Sequence, residues 1–335
     1  MKSKSFIGID VSKLSLDICL ITEEGEIKNF KANNTVGHLK KLFKLIAQDV
    51  DVEETLVCAE YTGHYSNILK SYCLDNGVAL WLESGAEIKL RSGVQRCKSD
   101  KIDAQRIAEY AMRHSDKALL QTLEDEVISE SKLLLSERKL YVGERAKYRT
   151  QLKDLGGFVE KSIFKERSKR LKRHVALLTK SIEEIDRTIK ELFSTEILLA
   201  HQSKILTSIP GVGDQVAIHT IVATNGFTKF KNGRKFACHV GVAPFSFHSG
   251  TSQRSRNKVS HRANKELKTL FHMAALSAIK MKGEFHDYFK RKVAEGKNKM
   301  TVINAVRAKI INRIFTLIKE NRKYEKNYNL PLVNP

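Results

Sequence analysis

Four prolines in 335 residues leave no material for a long Pro-rich linker. No apolar run reaches the roughly 18 residues that a membrane span requires, which argues against a membrane partner. The opening MKSKSFIGID turns polar too soon for a signal peptide. Cys19, Cys58, Cys73, Cys97 and Cys238 are scattered and form no C-x-x-C pair, so neither a zinc site nor a disulfide framework is indicated. They read as reduced thiols of a cytosolic protein. Tandem repeats and low-complexity segments are absent. The chain is also short of acids: 38 Asp and Glu stand against 59 Lys and Arg, a formal charge of +21. A surplus of that size favours a polyanionic partner, nucleic acid before an anionic membrane surface.

What is present divides into three parts. Hydrophobic content of 41% and the chain length allow two or three domains with buried cores. In the first part, SFIGIDVS, SLDICLIT and IKNFKANN read as strands, with Leu16, Ile18 and Leu20 on one side of the second. TVGHLKKLFKLIAQDV is an amphipathic helix carrying Leu39, Leu42, Phe43 and Ile46. Strand ETLVCAEYTG, helix HYSNILKSYCLDNG closed by Gly77, and strand VALWLES follow. This is an α/β order, expected over residues 1–120.

Residues 121–200 carry almost no strand signal. Leu133, Leu134, Leu140, Leu152 and Leu155, then Leu171, Val175, Leu178, Ile182, Ile185, Ile189 and Leu192, predict two long helices turning back near Gly156-Gly157, a helical hairpin or coiled coil. The stretch from Arg145 to Arg173 is dense in Lys and Arg and suits either phosphates or plain solvent. Residues 201–325 are expected to form a mainly α C-terminal domain.

Acids stand where strands stop and a helix starts. Asp10 ends the first strand, Glu60 ends TLVCAE, and Asp100 and Asp103 open a helix. The rim of an open α/β sheet is where sites form. Residues i and i+3 share a helix face, so Asp100 and Asp103 can address one object. Hard carboxylate oxygens suit Mg2+, and paired ions can clamp the oxygens of a phosphoryl displacement. Each acid also has a plain reading: Asp100 and Asp103 as a helix cap, Asp10 and Glu60 as strand ends. Asp17 is expected to point outward into solvent.

In the last third, IPGVGDQVA has the form of a helix–hairpin–helix turn, with Gly211 and Gly213 freeing backbone N–H groups for a DNA phosphate or merely permitting the bend. HVGVAPFSFHSGTSQRSRNKVSHRANKELK then crowds hydroxyls and bases together: Ser246, Ser249, Ser252, Arg254, Arg256, Lys258, His261 and Arg262. A serine there suits nucleophilic attack beside cations, but composition alone favours a loop that grips DNA without chemistry.

FIGIDVSKLSLDICL, VCAEYTGHY and CKSDKIDAQRIAEYA resemble the RuvC-like, RNase H-fold domain of the DEDD transposases of the IS-one-ten insertion-sequence family, relatives of the Piv-type DNA invertases. The resemblance implies that Asp10, Glu60, Asp100 and Asp103 bind Mg2+ (or Mn2+). GVAP followed by HSG resembles the family's C-terminal serine element and implies Ser249 as nucleophile, with Ser246 and Ser252 as alternatives. The pattern departs at Phe245, where the family often has Arg, at His248 in place of a serine, and at Ala263 in place of Gly. The resemblance further implies double-stranded DNA (element ends and target), a non-coding bridge RNA as guide, a homo-oligomer (dimer or tetramer), and a place on the bacterial-type nucleoid.

The leading expectation is therefore a site-specific recombinase or transposase using four acids, Mg2+ and a serine. The first rival is a RuvC-like metal nuclease or junction resolvase without serine chemistry. The second is a non-catalytic nucleic-acid-binding protein whose acids only cap and terminate. Loss of cleavage in Ser249→Ala separates the first two, and Mg2+ dependence separates both from the third.

Overall fold

The computed structural model describes residues 3–91, 99–122, 125–243, 248–249, 253–254 and 263–326, the hairpin residues 248–249 and 253–254 by their backbone. The chain forms two compact units, 1–123 and 124–335.

The first unit runs β1 Ser5–Val11, β2 Ser15–Ile21, β3 Ile27–Asn33, α1 Val36–Ile46, β4 Thr55–Glu60, α2 Asn67–Asp75, β5 Ala79–Glu83, α3 Gly85–Arg91 and α4 Asp100–His114. The sheet order is β3-β2-β1-β4-β5. The first three strands are antiparallel neighbours joined by short turns, while β1–β4 and β4–β5 are parallel and need crossovers. Helices α1 and α2 supply those crossovers. This mixed five-stranded order is that of an RNase H-like domain, as the α/β reading anticipated.

The period-two alternation of each strand gives the sheet two different faces. One face sends Ile7, Ile9, Leu16, Ile18, Leu20, Val57 and Leu80 against Leu39, Phe43, Ile46, Leu69 and Tyr72 of α1 and α2, a core of large side chains. The opposite face packs Phe6, Leu56 and Trp81 against Ile107 and Tyr110 of α4, and beside them one row of it is floored by small residues. Cys19, Gly8 and Cys58 lie abreast on β2, β1 and β4. Ala104 and Ala108 of α4 pack over them. A Cβ on Gly8 would stand 2.2 Å from the Ala104 carbonyl oxygen and from the Ala108 nitrogen, so helix and sheet backbones touch only because this residue is glycine. Burial holds the thiol of Cys19 up at about 11, that of Cys73 at about 12, and that of Cys58 well above its ordinary value. The described cysteines are free and serve as small apolar packing.

The second unit runs α5 Glu126–Asp154, α6 Lys161–Thr195, α7 Ile197–Thr207, α8 Asp214–Thr224, α9 Gly233–Val240, the two-residue strands β6 His248–Ser249 and β7 Gln253–Arg254, then α10 Lys265–Ala278, α11 Glu284–Ala294 and α12 Lys299–Lys319. Helices α5 and α6 form the expected hairpin. Arg138 donates to both carboxylate oxygens of Asp186 at 2.7 and 3.2 Å, and Tyr148 stacks on His174. Leu133 and Leu140, two of the leucines that predict these helices, are exposed; Ile128, Ser131 and Leu135 are the buried residues of α5. Two leucines seven apart mark a face without saying that the face is covered. The three-part division at 120 and 200 meets two units because the base of the hairpin shares a core with the C-terminal helices. Ile185, Ile189 and Phe193 pack in one cluster with Phe236, Phe271 and Ile310. Among the described residues no helix is long and apolar enough to cross a membrane.

Candidate active site

The strand registers bring the acids together. Asp17 of β2 lies opposite Asp10 of β1. The β1–β4 register, with Ile9 beside Ala59, puts Asp10 next to Glu60, and Glu60 faces Glu83 of β5. One row thus crosses the sheet, Lys31–Asp17–Asp10–Glu60–Glu83. It lies two residues beyond the Cys19–Gly8–Cys58 floor and therefore on the same face. Because Ala104 sits over Gly8, the turn of α4 before it, bearing Asp100 and Asp103, comes down over this row.

The cap of α4 distinguishes the two readings of Asp100 and Asp103. Ser99 is the N-cap: its hydroxyl accepts from the Ile102 N–H at 3.3 Å and its carbonyl accepts from the Asp103 N–H at 2.9 Å. Asp100 is then the first helical residue and makes no capping bond among the described residues, although the helix dipole favours both acids there. Asp103 pairs with Arg106 at 2.9 Å.

Asp10 records the crowding. Its pKa rises to about 6, first through burial and then through the charges of Asp100, Asp103, Glu60 and Asp17. Glu60 is held by a cradle: a Cβ on Gly85 would stand 1.9 Å from its Oε1. Glu83 accepts from the Ser84 N–H at 2.7 Å and from the Tyr110 hydroxyl at 3.3 Å. Burial, with the Glu83 charge, pushes that phenol up to about 12.

Asp17 departs from expectation. It is turned toward the α4 side, only 15% exposed, and pairs with Lys31 at 3.3 Å. Alternation on β2 separates two faces correctly, but the apolar face is packed by α1 and the other is overhung by α4, so neither is open water. Sequence reading also missed Glu83 and Gly85. The rule that selected Asp10 and Glu60, an acid closing an apolar strand, selects Glu83 at the end of VALWLE equally well.

The donor set is wholly carboxylate oxygen, the chemistry of Mg2+ or Mn2+. The mutual repulsion recorded at Asp10 is what a divalent cation would relieve. Among the described residues no three His, Cys, Asp or Glu side chains stand close enough to hold an ion. The acids are gathered, with Lys31 on Asp17 and Arg106 on Asp103 as the cations already paired in the group.

In the second unit, β6 and β7 pair His248 with Arg254 and Ser249 with Gln253, so Ser249 and Arg254 are placed by backbone only. Ser246, Ser252, Arg256, Lys258 and Arg262 lie outside the described residues. Gly211 (φ +85°) is required by packing, since a Cβ there would stand 2.3 Å from the Ala274 carbonyl oxygen. Gly213 is the N-cap of α8, and the acid that follows it, Asp214, pairs with Lys190 at 2.5 Å.

Carboxylates gathered on an RNase H-like sheet, followed by a helical unit, fit the transposases and DNA invertases, enzymes that cleave and rejoin DNA, and sequence similarity places the chain among them. Residues 7–155 match the family model of the DEDD transposases of IS110, and residues 203–290 match that of the transposase IS116/IS110/IS902 family. The chain belongs to this IS110/IS116/IS902 transposase family. The pilin gene-inverting proteins of Moraxella bovis and Moraxella lacunata are each 26% identical to it over 327 residues, 97% of this chain and 98% of theirs. An insertion element IS116 protein of Streptomyces clavuligerus is 24% identical over 147 residues, 44% of this chain and 36% of its own. A T. thermophilus RuvC chain, solved in complex with Holliday junction substrate, aligns with 35% of this chain and 99% of its own at 12% identity and a TM-score of 0.27. The fold assignment stands on the strand order.

Proposed function

We propose that the chain is a site-specific recombinase of an insertion sequence in which Asp10, Glu60, Asp100 and Asp103 hold Mg2+ or Mn2+ and Ser249 is the nucleophile. A non-coding bridge RNA directs the choice of element end and target, and a homo-oligomer, dimer or tetramer, joins the two DNAs. One observation carries the metal half of this reading. Ser99 performs the capping of α4, while Asp100 and Asp103 crowd onto Asp10 and raise its pKa.

A bound divalent cation would neutralise phosphate charge and ease deprotonation of the attacking hydroxyl. Asp10 must shed its proton to join the ligand set, which near neutral pH it does readily. Gly85 leaves Glu60 room to lie against the start of α3. The Ser249 oxygen forms a bond to phosphorus, the bond from phosphorus to one neighbouring sugar oxygen breaks, and that oxygen takes up a proton. The resulting phosphoserine ester retains the bond energy, so a sugar hydroxyl of the second DNA can displace the serine.

The test is a denaturing gel for a covalent protein–DNA adduct, using element-end DNA, co-expressed flanking RNA and Mg2+. An adduct in wild type that is absent from both Asp103→Asn and Ser249→Ala is the expected result. Free cleaved DNA that survives Ser249→Ala but not Asp103→Asn would replace this reading with a metal nuclease of the RuvC type. The grouping of all four acids within the first unit favours that second reading if the serine proves dispensable.

A further inference from the structure

The second unit holds a buried cation with no anion. Arg307, in the middle of α12, is 7% exposed. Its Nη2 donates to Nδ1 of His272, its Nη1 reaches Oδ1 of Asn304 at 3.5 Å, and its Nε has no hydrogen-bond partner among the described residues. No carboxylate of the described residues forms an ion pair with it; burial alone pushes its pKa down. His272 cannot balance the charge. To accept at Nδ1 the ring must be neutral, and burial with the adjacent guanidinium holds it so. Its proton then sits on Nε2, a second donor beside the first.

A buried guanidinium without a counter-charge is costly unless something arrives to pair with it. The neighbouring chain is unable to do so. Asn304, one turn before Arg307, donates to the Val242 carbonyl at 2.9 Å. The Asn264 N–H donates to the His239 carbonyl at 2.9 Å, and Ala263 packs on Gly241. The segment between Ala243 and Ala263 therefore leaves and re-enters beside this cluster. From Asp214 to Glu266 the sequence contains no other Asp or Glu. Glu266 itself is engaged by Lys139 at 3.0 Å and stands 4.0 Å from His219.

We infer that Arg307 and His272 form an anion site that takes a phosphate group of bound nucleic acid, separate from the carboxylates of the first unit. The planar guanidinium fork suits phosphate oxygens, and its burial strengthens the pairing. The choice of a phosphodiester over other anions rests on the recombinase reading; the existence of the site does not.

The experiment uses the full chain and two probes: inorganic phosphate, titrated at constant ionic strength against chloride and read as the thermal midpoint, and a short DNA duplex, read by fluorescence anisotropy. In wild type, phosphate raises the midpoint saturably. Arg307→Met removes that response, raises the phosphate-free midpoint, and weakens duplex binding at least tenfold. Arg307→Lys keeps charge and length but not the fork; it lowers phosphate affinity about tenfold with the midpoint nearly unchanged, which keeps the test decisive if the methionine variant folds poorly. An unchanged phosphate response in either variant, or none in wild type, would overturn the site. A lost phosphate response with undiminished duplex binding would also overturn it, as a site for nucleic acid. A wild-type chain that binds phosphate through Arg307 yet forms no DNA adduct would instead sink the recombinase reading alone.

Discussion

The two faces of the sheet in the first unit use the same strands for opposite ends. Under α1 and α2 the contacts are large and aliphatic, with Ile7, Leu16 and Leu20 fully buried. Under α4 the later turns set Ile107 and Tyr110 on Phe6, Leu56 and Trp81, but the row nearest the acids is glycine, cysteine and alanine, where the gain is proximity rather than area. A face of large side chains keeps a helix about 10 Å from the sheet. A floor of small ones lets the helix descend until residues at its first turn reach the ends of the strands. Both sides therefore contribute burial, while placement of the acids depends on the Cys19–Gly8–Cys58 row alone, and substitutions should separate that row from the aliphatic core.

The largest effect is expected at Gly8. Gly8→Val drives a side chain into the backbone of α4, costing about 3 kcal/mol or more and abolishing cleavage, as thermal melts and the adduct gel would show. Leu16→Ala on the other face costs about 3 kcal/mol too, but the folded fraction should keep its specific activity. If both variants lose activity in proportion to stability, the contrast between the faces is wrong. Next, Asp10→Asn should lose about 100-fold or more in cleavage while making the metal-free protein more stable by about 1 kcal/mol, the repulsion being discounted for solvent screening. Gly85→Ala should follow, with about tenfold less cleavage and under 1 kcal/mol of destabilisation, since its methyl displaces the Glu60 carboxylate rather than backbone.

The smallest effect is a pH profile. The pKa of Asp10 is raised from 3.8 to about 6, so its protonated form favours the metal-free fold. That contribution is complete below about pH 4 and disappears as pH rises through 6. Metal-free protein should therefore lose stability between about pH 4 and pH 6 on this account, and Asp10→Asn should flatten the change. Mg2+ affinity, measured by calorimetry, should rise over the same interval because the ion competes with that proton.

The strands, the hairpin and the acids were legible because each depends on local pattern. Asp10 and Glu60 close apolar strands, and Asp100 and Asp103 share a helix face. What could not be read was register. Nothing local says that Asp17 faces Asp10, or that Glu83 extends the row beyond Glu60; those facts belong to pairings between distant segments. Likewise Leu133 and Leu140 obey a helical period yet find no cover, because a period fixes direction and not neighbours. Arg307 shows the same gap from the polar side. On α12 it reads as an ordinary solvated charge until the packing of α10 and α9 encloses it.

The long hairpin also has a mechanical meaning. Its base is fastened where Asp186, which Arg138 grips across the hairpin, also accepts from Gln215 of α8 at 2.8 Å. Beyond Tyr141 the pairing of Tyr148 with His174 joins the hairpin's own two helices. About 16 residues of α5, roughly 24 Å of helix, extend past Arg138. Such an arm is a cantilever: a tilt of about 10° at the fastening moves its basic tip by about 4 Å. Loosening a single contact at the fastening, Gln215 with Asp186, would therefore change where the tip lies far more than it changes the fold.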